Sequence, residues 1–164
     1  MAVTGFLNVE AGDSYASFKI KKLGMLTIEG TISGFDGEIF LDLENMEDSY
    51  FDVGVTPVTI KTGNLKRDEH LRSTDFFYVR KYPIIFFKSK SVQAINEMIH
   101  ITGTLQMLKT TLEVRIPMKY KNGLFTGSFS LNRKHYGLGK KFPPFVIGNN
   151  IDITINCLTT KRPI

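Results

Sequence analysis

The side chains best suited to acid–base chemistry gather in one block, Arg67-Asp68-Glu69-His70-Leu71-Arg72-Ser73-Thr74-Asp75-Phe76-Phe77, closed by Lys81-Tyr82-Pro83. A carboxylate beside an imidazole could move a proton near neutral pH. Asp68 and His70 are only two residues apart, however, and on a helix such a pair does not share a face. The spacing argues against a local acid–base dyad. His100 and His135 lie far away in sequence, and none of the three histidines falls in an HxH, HExxH or His-x-carboxylate arrangement, so no metal site is assigned. Gly127-Ser128-Phe129-Ser130 is an ordinary strand rather than a nucleophile elbow. Gly137-Leu138-Gly139 is not a phosphate loop and reads as a flexible connection between strands. No nucleophile–base pair is recognisable, so no catalytic residue and no cofactor are assigned.

The elements around this block are of a different kind. Period-2 alternation dominates the chain. Ala16, Phe18 and Ile20 alternate with Ser17, Lys19 and Lys21; Leu26, Ile28 and Ile32 alternate with Thr27, Glu29, Thr31 and Ser33. Beyond Gly30 and Gly34 the apolar phase shifts to Ile39, Leu41 and Leu43. A phase change at glycines predicts a bulge or sharp bend of the kind that closes barrels. Phe51, Val53 and Val55 fall out of phase with Val58 and Ile60 across Pro57. Ile84-Ile85-Phe86-Phe87 is apolar on both faces, so one face needs a cover, and the charged block ending at Phe76-Phe77 is the nearest candidate. Further strands run through Ile99 to Met107, Leu112 to Tyr120, Phe125 to Leu131 and Ile151 to Cys157, with Asn122-Gly123 as a type I′ hairpin turn. The expectation is an all-β chain of eight antiparallel strands in a single domain spanning residues 1–164, with a short helical lid around residues 65–77. Eight strands close into a barrel just wide enough for side chains or one small ligand.

Asn64 is placed as the N-cap of the lid helix, with Asp68 and Glu69 near its first turn and Arg72 near its end. Leu71 is placed to point into a barrel mouth. Two readings fit these residues: a cap over a cavity, or a short amphipathic helix held by local ion pairs.

Bulk properties narrow the function further. The 164 residues carry a net charge of +5 with the basic side chains scattered along the strands, so no nucleic-acid stripe is read. No apolar run reaches the roughly 18 residues of a membrane span. The single cysteine, Cys157, excludes an internal disulfide and is read as a small buried hydrophobe. The start of the chain, Met1-Ala2-Val3-Thr4-Gly5-Phe6, has no basic and apolar leader, so the cytoplasm is the expected location, or the periplasm if a signal was trimmed.

Several motifs resemble the YceI-like family, whose members adopt a lipocalin-like antiparallel barrel. They are Ala16-Ser17-Phe18-Lys19-Ile20 with Leu23-Gly24, Phe35-Asp36-Gly37, the whole charged block with Lys81-Tyr82-Pro83, Gly103-Thr104-Leu105, Asn132-Arg133 with Tyr136-Gly137, and Ile147-Gly148. The chain departs from the pattern at Leu108-Lys109-Thr110, where a glycine turn is frequent, and at His135, where an acid is common. It also departs from the many periplasmic members in showing no signal.

The resemblance implies a binding protein that holds a long apolar ligand, polyisoprenoid or fatty-acyl in type, for carriage or sequestration. The apolar lining it implies is Phe18, Ile20, Ile28, Ile32, Leu71, Phe76, Phe86, Ile101, Leu105, Val114, Ile116, Phe129, Leu131, Ile153 and Ile155. Arg67, Asp68, His70 and Arg72 are the candidates for contact with a head group. Alternation alone predicts a filled barrel as well as a hollow one. A filled barrel would act in protein–protein interaction or stress adaptation, with homodimerisation through an outer sheet face. A lipid-modifying enzyme would need a polar cluster around His70.

Overall fold

Alternation becomes a ladder of long antiparallel strands in the computed structural model, which describes residues 4–163. Met1, Ala2 and Val3, part of the stretch read above for a leader, lie outside the described residues. The strands are β1 (Thr4–Val9), β2 (Tyr15–Lys22), β3 (Leu26–Asp42), β4 (Tyr50–Lys61), β5 (Ile85–Ile95), β6 (Met98–Met107), β7 (Thr110–Lys121), β8 (Leu124–Asn132) and β9 (Asn150–Lys161). Helix α1 (Leu65–Arg72) follows β4, and the short α2 (Arg133–Tyr136) follows β8. The hydrogen-bonded order is β3-β2-β9-β8-β7-β6-β5-β4, and β4 pairs back to β3, which closes an antiparallel barrel of eight staves.

One stave holds two strands. Between β3 and β9, β2 pairs with Leu26 to Ile32 and with Asp152 to Asn156. Further along, β1 takes the same slot, pairing with Ile39 to Asp42 and with Thr159 to Lys161. Alternation does not reveal β1, because Thr4-Gly5-Phe6-Leu7-Asn8-Val9 offers only a short pattern broken by Gly5. Its Leu7 is nonetheless 1% exposed and belongs to the core.

The expected bends lie where the glycines are. Pairing of β3 with β4 shifts between Thr31 and Ser33 and again between Ser33 and Asp36. Gly34, at φ 73, supplies the left-handed conformation that this double shift needs. Gly30 lies opposite Phe18, and a Cβ there would come within 2.5 Å of the Phe18 ring. The glycine lets that ring lie flat against the wall. Asn122 at φ 50 and Gly123 at φ 84 form the turn that the dipeptide predicts. The turn from β6 to β7 puts Leu108 at φ 55, so a leucine occupies the place where a glycine would relax.

The barrel has two distinct ends. One packs Leu7, Phe35, Ile39, Leu41, Phe51 and Phe125, among others, into a floor. The other, the mouth, is built from the β2–β3 hairpin, α1 with the turn behind it, the β6–β7 turn and the connection from α2 to β9. Its buried residues include Ile60, Phe76, Phe77, Leu105, Tyr136 and Leu138. β7 and β8 pair only from Met118 opposite Gly127 to Lys121 opposite Leu124, so their mouth-side halves are not paired to each other.

The cover expected over the outer face of β5 is not there. Phe76 and Phe77 pack with inward Ile85, whereas Ile84 and Phe86 remain 50% and 37% exposed. They lie over Gly54, where a Cβ would stand 2.9 Å from Ile84 Cγ2 and 3.4 Å from Phe86 Cδ2. The lid turns its aromatics into the barrel because apolar burial is available there and not outside.

Candidate ligand cavity

Inward side chains do not fill the barrel. They surround a cavity of about 620 Å³. Its wall takes Phe18 and Ile20 from β2, Ile28 and Ile32 from β3, Ile101 and Leu105 from β6, and Ile116 from β7. Phe129 and Leu131 of β8, Ile153 and Ile155 of β9, Leu71 of α1 and Phe76 behind it complete the expected set on the wall. Two expected residues are not there. Phe86 faces outward, because Phe87 holds the inward phase of β5 and lines the cavity instead. Val114 points inward but is consumed in packing against both core clusters.

At the floor, Phe51 and Phe125 meet edge to face with centroids 5.2 Å apart. Cys157 lines the same region at 4% exposure, and burial pushes its thiol up to about 11. The thiol therefore stays protonated and serves as a small apolar group.

Polar lining residues are Lys22, Asn64, Lys66, Arg67, His70 and Arg133. Apart from Arg133, which opens α2, they come from the end of β2 and from α1 with its N-cap. Among the described residues no Asp or Glu lines the cavity.

The Asn64 side chain accepts from Arg67 N–H at 3.0 Å, the expected cap. The helix it starts is not amphipathic in the usual sense, because its one buried residue is Asp68. Asp68 Oδ1 accepts from Thr62 N–H at 3.0 Å and from the Thr62 hydroxyl at 2.5 Å. Arg67 donates to Thr62 Oγ1 and to Thr62 O, both at 2.8 Å. Arg72 donates to Val58 O at 2.8 Å and Ile60 O at 3.1 Å. Arg72 thus anchors the lid to β4 and Asp68 to the residue that follows it, and neither lines the cavity, which corrects their assignment as head-group contacts. Arg67 and His70 do line it.

His70 pairs outside its own helix. Its Nε2 lies 2.7 Å from Asp75 Oδ2, and Lys141 Nζ reaches the same oxygen at 2.8 Å. Lys141 first and His70 second hold the Asp75 carboxyl below its ordinary range. The imidazole also sits edge-on to Phe76 and Phe142, and those two rings stack with centroids 5.3 Å apart. This cluster latches the lid to the connection between α2 and β9.

That connection is held by a residue to which sequence reasoning gave no role. Arg133 is 1% exposed. Its Nε donates to Gly148 O at 2.9 Å, Nη1 to Leu138 O and Gly139 O at 3.2 and 2.7 Å, and Nη2 to Phe142 O and Ile147 O at 2.7 and 2.8 Å. All five N–H donors meet main-chain carbonyls. Burial lowers its pKa from the ordinary guanidinium value. The stretch read as a flexible loop is therefore wrapped around one cation, and Leu138 is only 4% exposed. A signal was present in the sequence: a lone arginine opening a Gly- and Pro-rich stretch that contains no acid to pair with it.

An antiparallel barrel of eight staves with a hollow apolar interior and a helical lid is a lipocalin-like architecture. The YceI-like domain model matches residues 7–158. A UPF0312 protein of Pseudomonas aeruginosa is 31% identical over 155 residues, covering 88% of this chain and 81% of its own length. Protein YceI of Escherichia coli O157:H7 is 32% identical over 113 residues, 69% of this chain and 59% of its own. The chain belongs to the YceI-like family.

Solved structures agree on the fold. BcnA of Burkholderia cenocepacia superposes with a TM-score of 0.86 at 18% identity, covering 93% of this chain and all of its own. A polyisoprenoid binding domain from Saccharophagus degradans gives 0.70 at 9% identity over 98% of this chain and all of its own.

Proposed function

We propose that the protein binds one long apolar ligand, isoprenoid or fatty-acyl in type, inside the barrel, and carries or sequesters it without chemical change. The observation behind this reading is the cavity. Its volume of about 620 Å³ lies within the range of small-molecule sites, and its wall is hydrocarbon except at the mouth. A chain lying from mouth to floor would leave its polar end beside Lys22, Lys66, Arg67 and His70. Lys22, Lys66 and Arg67 are donors, so a polar end that accepts hydrogen bonds suits them and an ammonium does not. A ligand of about 40 atoms at roughly 0.3 kcal/mol per atom reaches about 12 kcal/mol, a nanomolar Kd. The family, and the polyisoprenoid binding of the Saccharophagus degradans domain, favour the same reading.

Catalysis finds no support in the lining. Asp75 and His70 form a pair, but Lys141 already holds that carboxylate. The cavity's one thiol sits at the floor, protonated by burial.

Solvent extraction of the purified protein followed by mass spectrometry tests the proposal. An isoprenoid or acyl species in near-stoichiometric amount is expected, and stripped protein should rebind palmitate or farnesol. Recovery of no lipid, with no rebinding of either probe, would sink it. His70→Ala should leave retention within a few-fold of the wild type.

A further inference from the structure

The large apolar side chains left in water are not spread evenly over the molecule. Among the described residues the five most exposed are Met25 at 86%, Leu65 at 84%, Phe145 at 74%, Leu26 at 59% and Leu23 at 56%. All five belong to the mouth, on the β2–β3 hairpin, at the start of α1 and on the α2–β9 connection. Four of them stand beside the cavity lining in sequence: Leu23 next to Lys22, Leu26 two residues from Ile28, Leu65 between Asn64 and Lys66, Phe145 next to Val146, with Met25 at the tip of the same hairpin as Leu23 and Leu26. Single exposed leucines are ordinary on a protein surface. Five on one rim around an apolar cavity are not.

The rim is held as one platform. Leu23 N–H donates to Val146 O at 3.0 Å and Gly148 N–H to Lys21 O at 2.8 Å, tying the hairpin to the connection. The Phe76–Phe142 stack and the Lys141–Asp75 pair tie the connection to the lid. Leu23 sits at φ 53 in its turn, a conformation that glycine or asparagine adopts more easily.

Charge follows the same division. Residues 21–28, 61–84, 108–110 and 132–149, which build the mouth, carry thirteen Lys and Arg against three Asp and Glu. The rest of the chain carries eight against thirteen. The scatter of basic residues along the sequence thus becomes a strong polarity in space, with the cations at the open end. Lys21, Lys66, Lys140 and Lys141 are exposed there beside the apolar tips.

We propose that the mouth rim docks on the surface of an anionic lipid bilayer. The five apolar tips enter the boundary between head groups and acyl chains, and the lysines meet the anionic head groups. Among the described residues no helix is long and apolar enough to cross a membrane, and docking of this kind needs none. It would open the cavity directly onto the acyl phase, so an apolar ligand could pass without crossing water. The inference leans on the carrier reading for its purpose but not for its test.

The test is flotation of the full chain with vesicles of phosphatidylcholine alone and of phosphatidylcholine mixed with phosphatidylglycerol. Partition onto the mixed vesicles is expected, weakening as salt rises. The variant Met25→Ser/Leu65→Ser/Phe145→Ser should lose at least about tenfold in partition while keeping its fold, since none of the three is buried. Lys21→Glu with Lys66→Glu should lose about 25-fold or more, at about fivefold or more per lysine. Ile95→Ser, at the floor end, should change nothing. No partition onto mixed vesicles, or partition that the triple serine variant leaves intact, overturns the proposal. So does a wild-type dimer that the triple variant converts to monomer without any vesicle binding, because the rim would then serve a second copy of the chain. Ligand retention measured in solution stays separate, so either proposal can fail while the other stands.

Discussion

The two ends of the barrel solve closure by different means. The floor is sealed by apolar packing among strand residues, with Phe51, Phe125 and Leu7 in one cluster and β1 completing the wall. The mouth is sealed by chain that is not strand, held by its own apolar cluster around Phe76, Phe77 and Leu138 and, in addition, by hydrogen bonds from a few charged side chains. Arg133, Arg67, Arg72 and Asp68 each spend their polar atoms on neighbouring main chain or on Thr62. The floor rests on strand packing, whereas the mouth adds polar ties and one ionic latch to its aromatic contacts, and segments tied in this way open more readily than packed strands. The contrast fits a vessel that loads at one end.

Phe125→Ala should have the largest effect on stability, a loss of about 3–5 kcal/mol in denaturant unfolding, because the ring is 1% exposed. If the floor is the structural half, the surviving folded protein should still retain ligand. Loss of binding in proportion to loss of stability would erase the distinction between the ends.

Arg133→Met comes next. Its five carbonyl partners lose their donors together, at a cost of about 2–4 kcal/mol if water enters to replace some of them. Here retention should fail more than stability does, read as faster ligand release from a protein that still melts cooperatively. A variant as retentive as the wild type would show that the connection does not close the mouth.

The smallest effect belongs to the latch. Because Lys141 and His70 lower the Asp75 carboxyl, its ionised form favours the folded state. That contribution is complete above the ordinary carboxylate pKa and fades as pH falls through the lowered one. Asp75→Asn should therefore melt slightly below the wild type near neutral pH, and the two melting curves should converge in acid. A gap that widens on acidification would mean that the pair does not act as assigned.

Much of this was legible beforehand. Alternation marks six staves and most of the one that β1 and β2 share, the apolar run at Ile84–Phe87 marks the start of β5, the glycines of β3 mark its bends, and Asn122-Gly123 and Asn64 mark a turn and a cap. Thirteen of the fifteen expected lining residues do face the cavity, because a strand of period 2 fixes which side chains share a face once one of them is inside. Phe86 went wrong where that rule gives no help, in a run apolar on both faces. Asp68 and Arg72 depart from expectation because their partners, Val58 and Ile60 on β4 and Thr62 just after it, lie outside the helix, and helical spacing cannot see an adjacent strand. Arg133 was overlooked for the same reason: its five acceptors are main-chain oxygens scattered over residues 138–148.

The sequence by itself determined the strand pattern, the barrel class and the charged lid, since these rest on local periodicity and on residue type. Only the tertiary structure decided that the interior is hollow, that the polar lining gathers at one end, and that the exposed apolar tips and most of the cations share that end. Volume and charge polarity are sums over residues distant in the chain. They acquire a value only when closure of the barrel brings residues 21–28, 61–84 and 132–149 to the same rim.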